Sequence, residues 1–429
     1  MNVRFFYIAS LLKKTLMRKR LILSAILLSQ FCKSEAQNQD GWLGPDRTGI
    51  YSQSGLLKTW PDGGPKLLWE TTDIGPGFSS VTATEDDVYI TGRLGENDFL
   101  ASFSHEGKKK WEVNYGKASK SSSYPDSRGT ATLSGSKLFL VSGTGDIVCI
   151  STQGKIIWSV NYYEKYNGIV PDFGISENPL VAGNKVIVTP GGKKAAMAAL
   201  SIENGSVIWE TASIDDVTQY VNPILIEFGG KKLIVTHSAK YIIAVDLNSG
   251  KLQWKFDYMA HSTTSEWRFA HINTPIYRDG FLFVSSGYDK PALKLRLNAD
   301  GSPPTLVWKN NDLDPHVGGA LLLGGYLFGS NWETSSYGKW VCVDWNTGKT
   351  LWINAWYNKG SLIAADGMLY LFEEKNGHVG LVKPGTEKLE VISEFKVTGG
   401  SGPYWAYPVI NNGRLYLRHG NYLAVYSIK

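Results

Sequence analysis

Cysteine is scarce in this 429-residue chain: Cys32, Cys149 and Cys342 are widely separated, no two are adjacent, and there is no C-x-x-C-H for a haem. A disulfide framework is excluded as the source of stability. Histidine is also sparse, at seven residues. No compact His/Cys/Asp/Glu ligand motif accompanies it, so no metal is expected. The glycine pairs Gly191-Gly192, Gly318-Gly319 and Gly399-Gly400 lack the strand-to-helix setting of a phosphate loop and read as turns. A strong charge of one sign is missing too. The formal net charge of +5 rests on residues 1–36, which hold seven basic residues and one acid, so the remainder stands at about −1. That excludes a basic field for nucleic acid. No apolar run is long enough to span a bilayer, because the longest, Leu21 to Phe31, is only eleven residues.

That run belongs to a leader. Arg18, Lys19 and Arg20 precede it and Ser34-Glu35-Ala36 follows as a small-x-small site, so residues 1–36 read as a cleaved secretory signal, with Met1 or Met17 as the start. Lipid anchoring through Cys32 is the alternative. The mature chain is expected to be periplasmic or secreted. Its 393 residues are enough for a large core without cross-links.

What the chain has in abundance is a repeat. A turn ending in Gly is followed four residues later by Trp in GKKKW (Trp111), GKIIW (Trp158), GSVIW (Trp209), GKLQW (Trp254) and GKTLW (Trp352), with looser copies ending at Trp69 and Trp308. Successive Trp residues lie 42, 47, 51, 45, 54 and 44 positions apart, a spacing that belongs to propeller blades rather than helical solenoids. Between them recur eight strand-turn-strand units, beginning near Ser80, Gly129, Asn178, Val221, Thr274, Val317, Gly360 and Tyr407. Their second runs, such as Leu138 to Val141, are continuously apolar, as strands buried on both faces require. The Ala-rich stretch Ala195 to Ile202 aligns with a third strand and is read as one. The eighth unit lacks its fourth strand, while an orphan strand, Pro65 to Glu70, stands at the beginning.

The reading is an all-β, eight-bladed propeller of four-stranded antiparallel blades over residues 65–429. It is closed by pairing its N- and C-terminal strands, with residues 37–64 as an extension packing on it. The seven Trp residues are read as blade-docking groups, each ring between neighbouring blades with its N–H on a carbonyl. Cys149 and Cys342, in blades two and six, face each other across the ring, beyond disulfide reach.

The consensus A-x-D/S-x-x-x-G-K-x-x-W after an apolar strand resembles the repeat of the pyrroloquinoline quinone (PQQ)-type propellers. That superfamily includes quinoprotein alcohol dehydrogenases and a non-enzymatic branch typified by BamB, a factor of outer-membrane β-barrel assembly. The opening Trp42 to Gly49, WLGPDRTG, is similar to that of a secreted bacterial set of such propellers. The missing adjacent cysteine pair, the compact length and the missing haem motif weigh against the dehydrogenase branch. The resemblance therefore implies an exported, monomeric, non-catalytic scaffold for a protein or peptide partner in the cell envelope, with no cofactor.

The loops from each fourth strand to the next first strand would gather at one mouth of the channel. Their last residues, Arg128, Glu177, Asn222, His271, His316, Lys359 and Trp405, are the candidate binding residues. Structural alternatives stand beside them: Arg128 pairing with Glu177 across blades, His271 or His316 capping loop carbonyls. Asp172, Asp312 and Asp314 are nearby acids without metal-ligand spacing. Two other functions stay open. One is a quinoprotein oxidoreductase in which Arg128 or Lys359 holds quinone carboxylates and Glu177 or Asn222 a Ca²⁺. The other is a carbohydrate or small-ligand binder using Trp267, Trp332 and Trp405.

Overall fold

The computed structural model describes residues 41–262 and 271–429. The leader with Met17, Cys32 and Ala36, and also Trp267, lie outside the described residues.

Each apolar run bounded by a Gly or Asn/Asp turn forms one strand, and successive hairpins assemble eight four-stranded antiparallel sheets in the order of the chain. Their innermost strands begin at Thr82, Thr132, Leu180, Ile224, Ile276, Ala320, Gly360 and Val409, which number blades 1 to 8. The stretch Ala195–Ser201 is a strand, as expected. Middle strands such as Lys137–Val141 and Asp146–Ser151 are buried along almost their whole length, because a neighbouring blade covers each face. Blade 8 is completed by Lys66–Thr71, which pairs antiparallel with Tyr422–Ser427, Leu67 opposite Tyr426 and Trp69 opposite Val425. The ring closes by the joint that the sequence left open. Cys149 and Cys342 are buried free thiols, and burial pushes them up to about 11 and about 12.

The Gly–Trp signature has a single physical meaning. The indole Nε1 of Trp69, Trp111, Trp158, Trp209, Trp308 and Trp352 donates to the carbonyls of His105, Thr152, Ile202, Leu247, Trp345 and Gly385 in the next blade, at 2.8–3.2 Å. Five of these rings lie flat against the turn glycine of that blade: a Cβ on Gly107, Gly154, Gly205, Gly250 or Gly348 would sit 2.6–2.8 Å from the indole. Every outer strand also carries a register shift at this point, between Leu67 and Trp69 or between Ile156 and Trp158, for example. The bulge turns the ring toward the neighbouring blade and leaves the skipped residue, such as Leu68, Ile157 or Ile208, exposed on the outer rim.

Blade 7 has no such indole. Ser393 occupies its register, and its hydroxyl accepts the backbone N–H of Trp60, whose ring lies 5.3 Å from Phe395 and 6.0 Å from Tyr370. An incoming residue from the N-terminal segment thus fills that seam.

The same segment does more than pack on the outside. Ile50–Tyr51 adds a fifth, parallel strand to the inner edge of blade 7, opposite Ala364 and Ala365, so residues 41–51 run in the axial channel. Arg47 is its anchor: Nη1 donates to Pro223 O at 3.0 Å, Nη2 to Pro179 O at 2.6 Å, and the group also reaches the Thr132 hydroxyl, touching blades 4, 3 and 2. Gly49 O accepts from Ala364 N, and Leu56 N then reaches the Asp366 carboxylate at the opposite face.

Gly250→Ala tests the interblade contact. Its φ of +70° is already costly for alanine, and the new methyl meets the Trp209 ring. A loss of about 2–4 kcal/mol in urea unfolding is expected from the left-handed backbone and overpacking together. An unchanged midpoint would show that the seam does not need that close approach.

Candidate functional site

The outer-to-inner loops and the loops between second and third strands open on the same face. There they wall a cavity of about 700 Å³. Its floor is Trp42 of the channel segment, edge-on to Tyr407 at 5.9 Å. On one side Phe78, Tyr124 and Trp405 form a cluster with ring centres 4.6–6.3 Å apart. On the other, Tyr288 packs on Trp332 at 4.5 Å. His316 bridges them, 4.8 Å from Trp332 and 5.9 Å from Trp405. The rim is apolar and exposed at Ile169, Val170 and Phe173.

Four of the seven candidate residues line this cavity: Arg128, Asn222, His316 and Trp405. Arg128 lies over the Phe78 ring at 5.1 Å and donates from Nη2 to Tyr124 O at 2.6 Å. Asn222 is partly structural. Its Oδ1 accepts Asn178 N at 2.5 Å, and Asn178 Oδ1 accepts Thr130 N at 2.6 Å, a relay that ties the starts of neighbouring inner strands together.

Glu177, His271 and Lys359 are buried behind the wall instead. Glu177 accepts from Tyr162 Oη at 2.8 Å and Thr189 N at 3.3 Å. Burial pushes it up to about 7, and the cation that it feels is Arg47, itself lowered by burial to about 10. Arg128 makes no ion pair with Glu177, and the cation that acts on Glu177 is the channel arginine, Arg47. His271 stacks on His237 at 3.9 Å, bonds Ser286 Oγ and Ala239 O, and is held near 3 by burial. It does meet a loop carbonyl. His316 does not: its Nδ1 lies 3.1 Å from Glu374 and its Nε2 3.2 Å from Tyr288 Oη. Lys359 donates to Thr334 O at 2.6 Å and Tyr337 O at 3.1 Å, lies 3.5 Å from Glu374, and sits 4.4 Å from the Trp332 ring centre. Burial lowers it. Asp314 accepts Trp332 N and Asp289 N, both at 2.9 Å, and burial raises it to about 7.

Of the residues named for a quinone with Ca²⁺, Arg128 and Asn222 line the cavity, whereas Glu177 and Lys359 do not. Lys359 and Glu177 are sealed from the cavity, Asn222 already spends its amide oxygen on Asn178, and no group of three or more His, Cys, Asp or Glu able to hold a metal exists among the described residues. What the cavity offers is flat apolar surface with one guanidinium. The rings of Trp42, Phe78, Tyr124 and Tyr288 escaped sequence reasoning. Tyr288 and Trp332 lie in second-to-third-strand loops, whose unusual length was the available signal.

Glu177 carries a pH signature. Its folded value lies above its ordinary 4.5, so the folded state retains a proton that the unfolded chain has lost, and stability falls as pH rises from about 4.5 to about 7. Glu177→Gln should flatten that slope in urea unfolding at pH 5, 6 and 7. Asp98 and Asp314, also raised to about 7, keep part of it. A slope identical to wild type would mean that Glu177 ionises freely in the folded protein.

Residues 96–354, more than half of the chain, match the family described as outer membrane protein assembly factor BamB. BamB of Shewanella oneidensis is 20% identical over 233 residues, 52% of this chain and 55% of that protein. An uncharacterised protein of Rickettsia conorii is 24% identical over 202 residues, 46% and 44% of the two chains. The match thus spans about half the length of these relatives. Among solved structures, BamB of Moraxella catarrhalis superposes with a TM-score of 0.61 at 16% identity, over 85% of this chain and 99% of that one. A quinohemoprotein alcohol dehydrogenase of Pseudomonas putida HK5 gives 0.62 at 11%, over 92% and 80%. Likeness at this level is likeness of fold, which the two functional branches share. With its eight four-stranded blades and the matched span, the chain belongs to the BamB-type family of PQQ-like β-propellers.

Proposed function

We propose that this chain is an exported, non-catalytic propeller of the cell envelope that holds a peptide segment of a protein partner in its aromatic funnel. The observation that carries the reading is the composition of the cavity: nine aromatic residues among the described residues line it, whereas Glu177 and Lys359 are buried behind it, bonded to Tyr162 and to the Thr334 carbonyl. Rings of this kind, partly buried beside an exposed apolar rim, are typical binding hot spots. The family match and the Shewanella relative, named for outer-membrane protein assembly, support a partner in the envelope. No helix among the described residues is long and apolar enough to cross a membrane. Export rests on the leader, and lipid attachment through Cys32 is a variant of the same reading.

A displayed random-peptide library panned on the purified chain tests it. Selected peptides should bind the wild type and lose about tenfold or more in affinity to the Trp405→Ala, Tyr124→Ala variant, whose melting temperature should barely move because both side chains stand outside the strand core. His316 is left intact, because removing it takes one of two partners, the other being Lys359, from the buried Glu374. Failure to enrich any peptide, or peptides indifferent to the double change, would move the working surface elsewhere.

A further inference from the structure

We propose that the funnel recognises a carboxylate carried beside a flat apolar group, with Arg128 as its anchor. This deepens the peptide reading above and rests on it: the segment taken is acidic, through a side chain or its own C-terminus.

Three observations carry it. Arg128 is the only lysine or arginine among the described residues lining the cavity. Among the described residues it makes no ion pair within 4.0 Å: the carboxylate that acts on it is Asp126, two positions away and not on the cavity wall, and its Nε is buried without an acceptor. Asp172, the one acid among the described residues of the cavity wall, is exposed and acts on Tyr220 rather than on Arg128. Burial lowers Arg128, so the cavity holds a guanidinium at a cost that an anionic ligand relieves. Phe78 supports one face of this fork, and Tyr124 and Trp405 stand beside it, leaving room for a ring next to the charged group. A planar guanidinium among rings matches a planar monoanion. A phosphate dianion would want further cations, which the described residues of the wall do not supply.

The test is a calorimetric titration of the purified chain with N-acetyl-tyrosine and with N-acetyl-tyrosinamide, which differ only in the carboxylate. The acid should bind about tenfold tighter than the amide. Arg128→Gln should erase that preference, and Arg128→Lys should restore part of it. Equal affinity, preference surviving in Arg128→Gln, or binding of neither compound overturns the inference. So does Arg128-dependent binding of digalacturonate with no binding of the aromatic acid, which would make the site one for acidic sugars. The two readings fail separately. Selected peptides indifferent to Arg128→Gln sink the carboxylate anchor and leave the peptide reading standing, whereas acid preference without any selected peptide does the reverse.

Discussion

The contact between an outer-strand indole and the turn glycine of the next blade governs this structure. A buried tryptophan removes on the order of 200 Å² from water, about 5 kcal/mol before the entropy of ordering it is subtracted. Here the ring can reach its place only because a bulge swings it sideways and a glycine leaves space for it. The contact recurs at five of the eight seams. At Ser393, where blade 7 has no indole, the N-terminal segment supplies Trp60.

An eight-bladed ring has a wide axis, and the function follows from how that axis is filled. Residues 41–51 occupy it, pinned by a buried guanidinium on two blade carbonyls and by parallel pairing with blade 7. A buried cation is expensive unless its donors are met, and Arg47 meets acceptors in three blades while Glu177 lies close enough to act on it. The channel is thereby closed from within. Trp42 becomes a floor, and the face that receives the long loops becomes a blind aromatic funnel instead of a tunnel.

The repeat was legible because blade geometry repeats: strand alternation, turn glycine and Trp recur with a spacing that the sequence displays, and the orphan strand at Pro65 announced the closure. The register shifts were not legible, since one skipped residue such as Ile157 leaves no compositional trace. Nor was the channel segment, because WLGPDRTG occurs once and its partners, Pro179, Pro223 and Thr132, lie far away in sequence. At the candidate site, the last residue before each inner strand was a sound guide to height along the axis and a poor guide to direction. Arg128 and Trp405 face the cavity, whereas Glu177, His271 and Lys359 turn inward to satisfy tyrosine, serine and carbonyl groups. Loop position fixes where a backbone goes, and burial chemistry decides where the side chain points.

The account's central claim is that binding happens at the funnel and not at the seams or the outer rim. Indole N–H resonances separate the two directly, because Trp42, Trp332 and Trp405 line the cavity while Trp111, Trp158, Trp209 and Trp308 sit between blades. With ¹⁵N-labelled tryptophan and N-acetyl-tyrosine as the probe, the three cavity resonances should shift on titration while the seam resonances stay in place. Shifts among the seam indoles with the cavity set unmoved would contradict it.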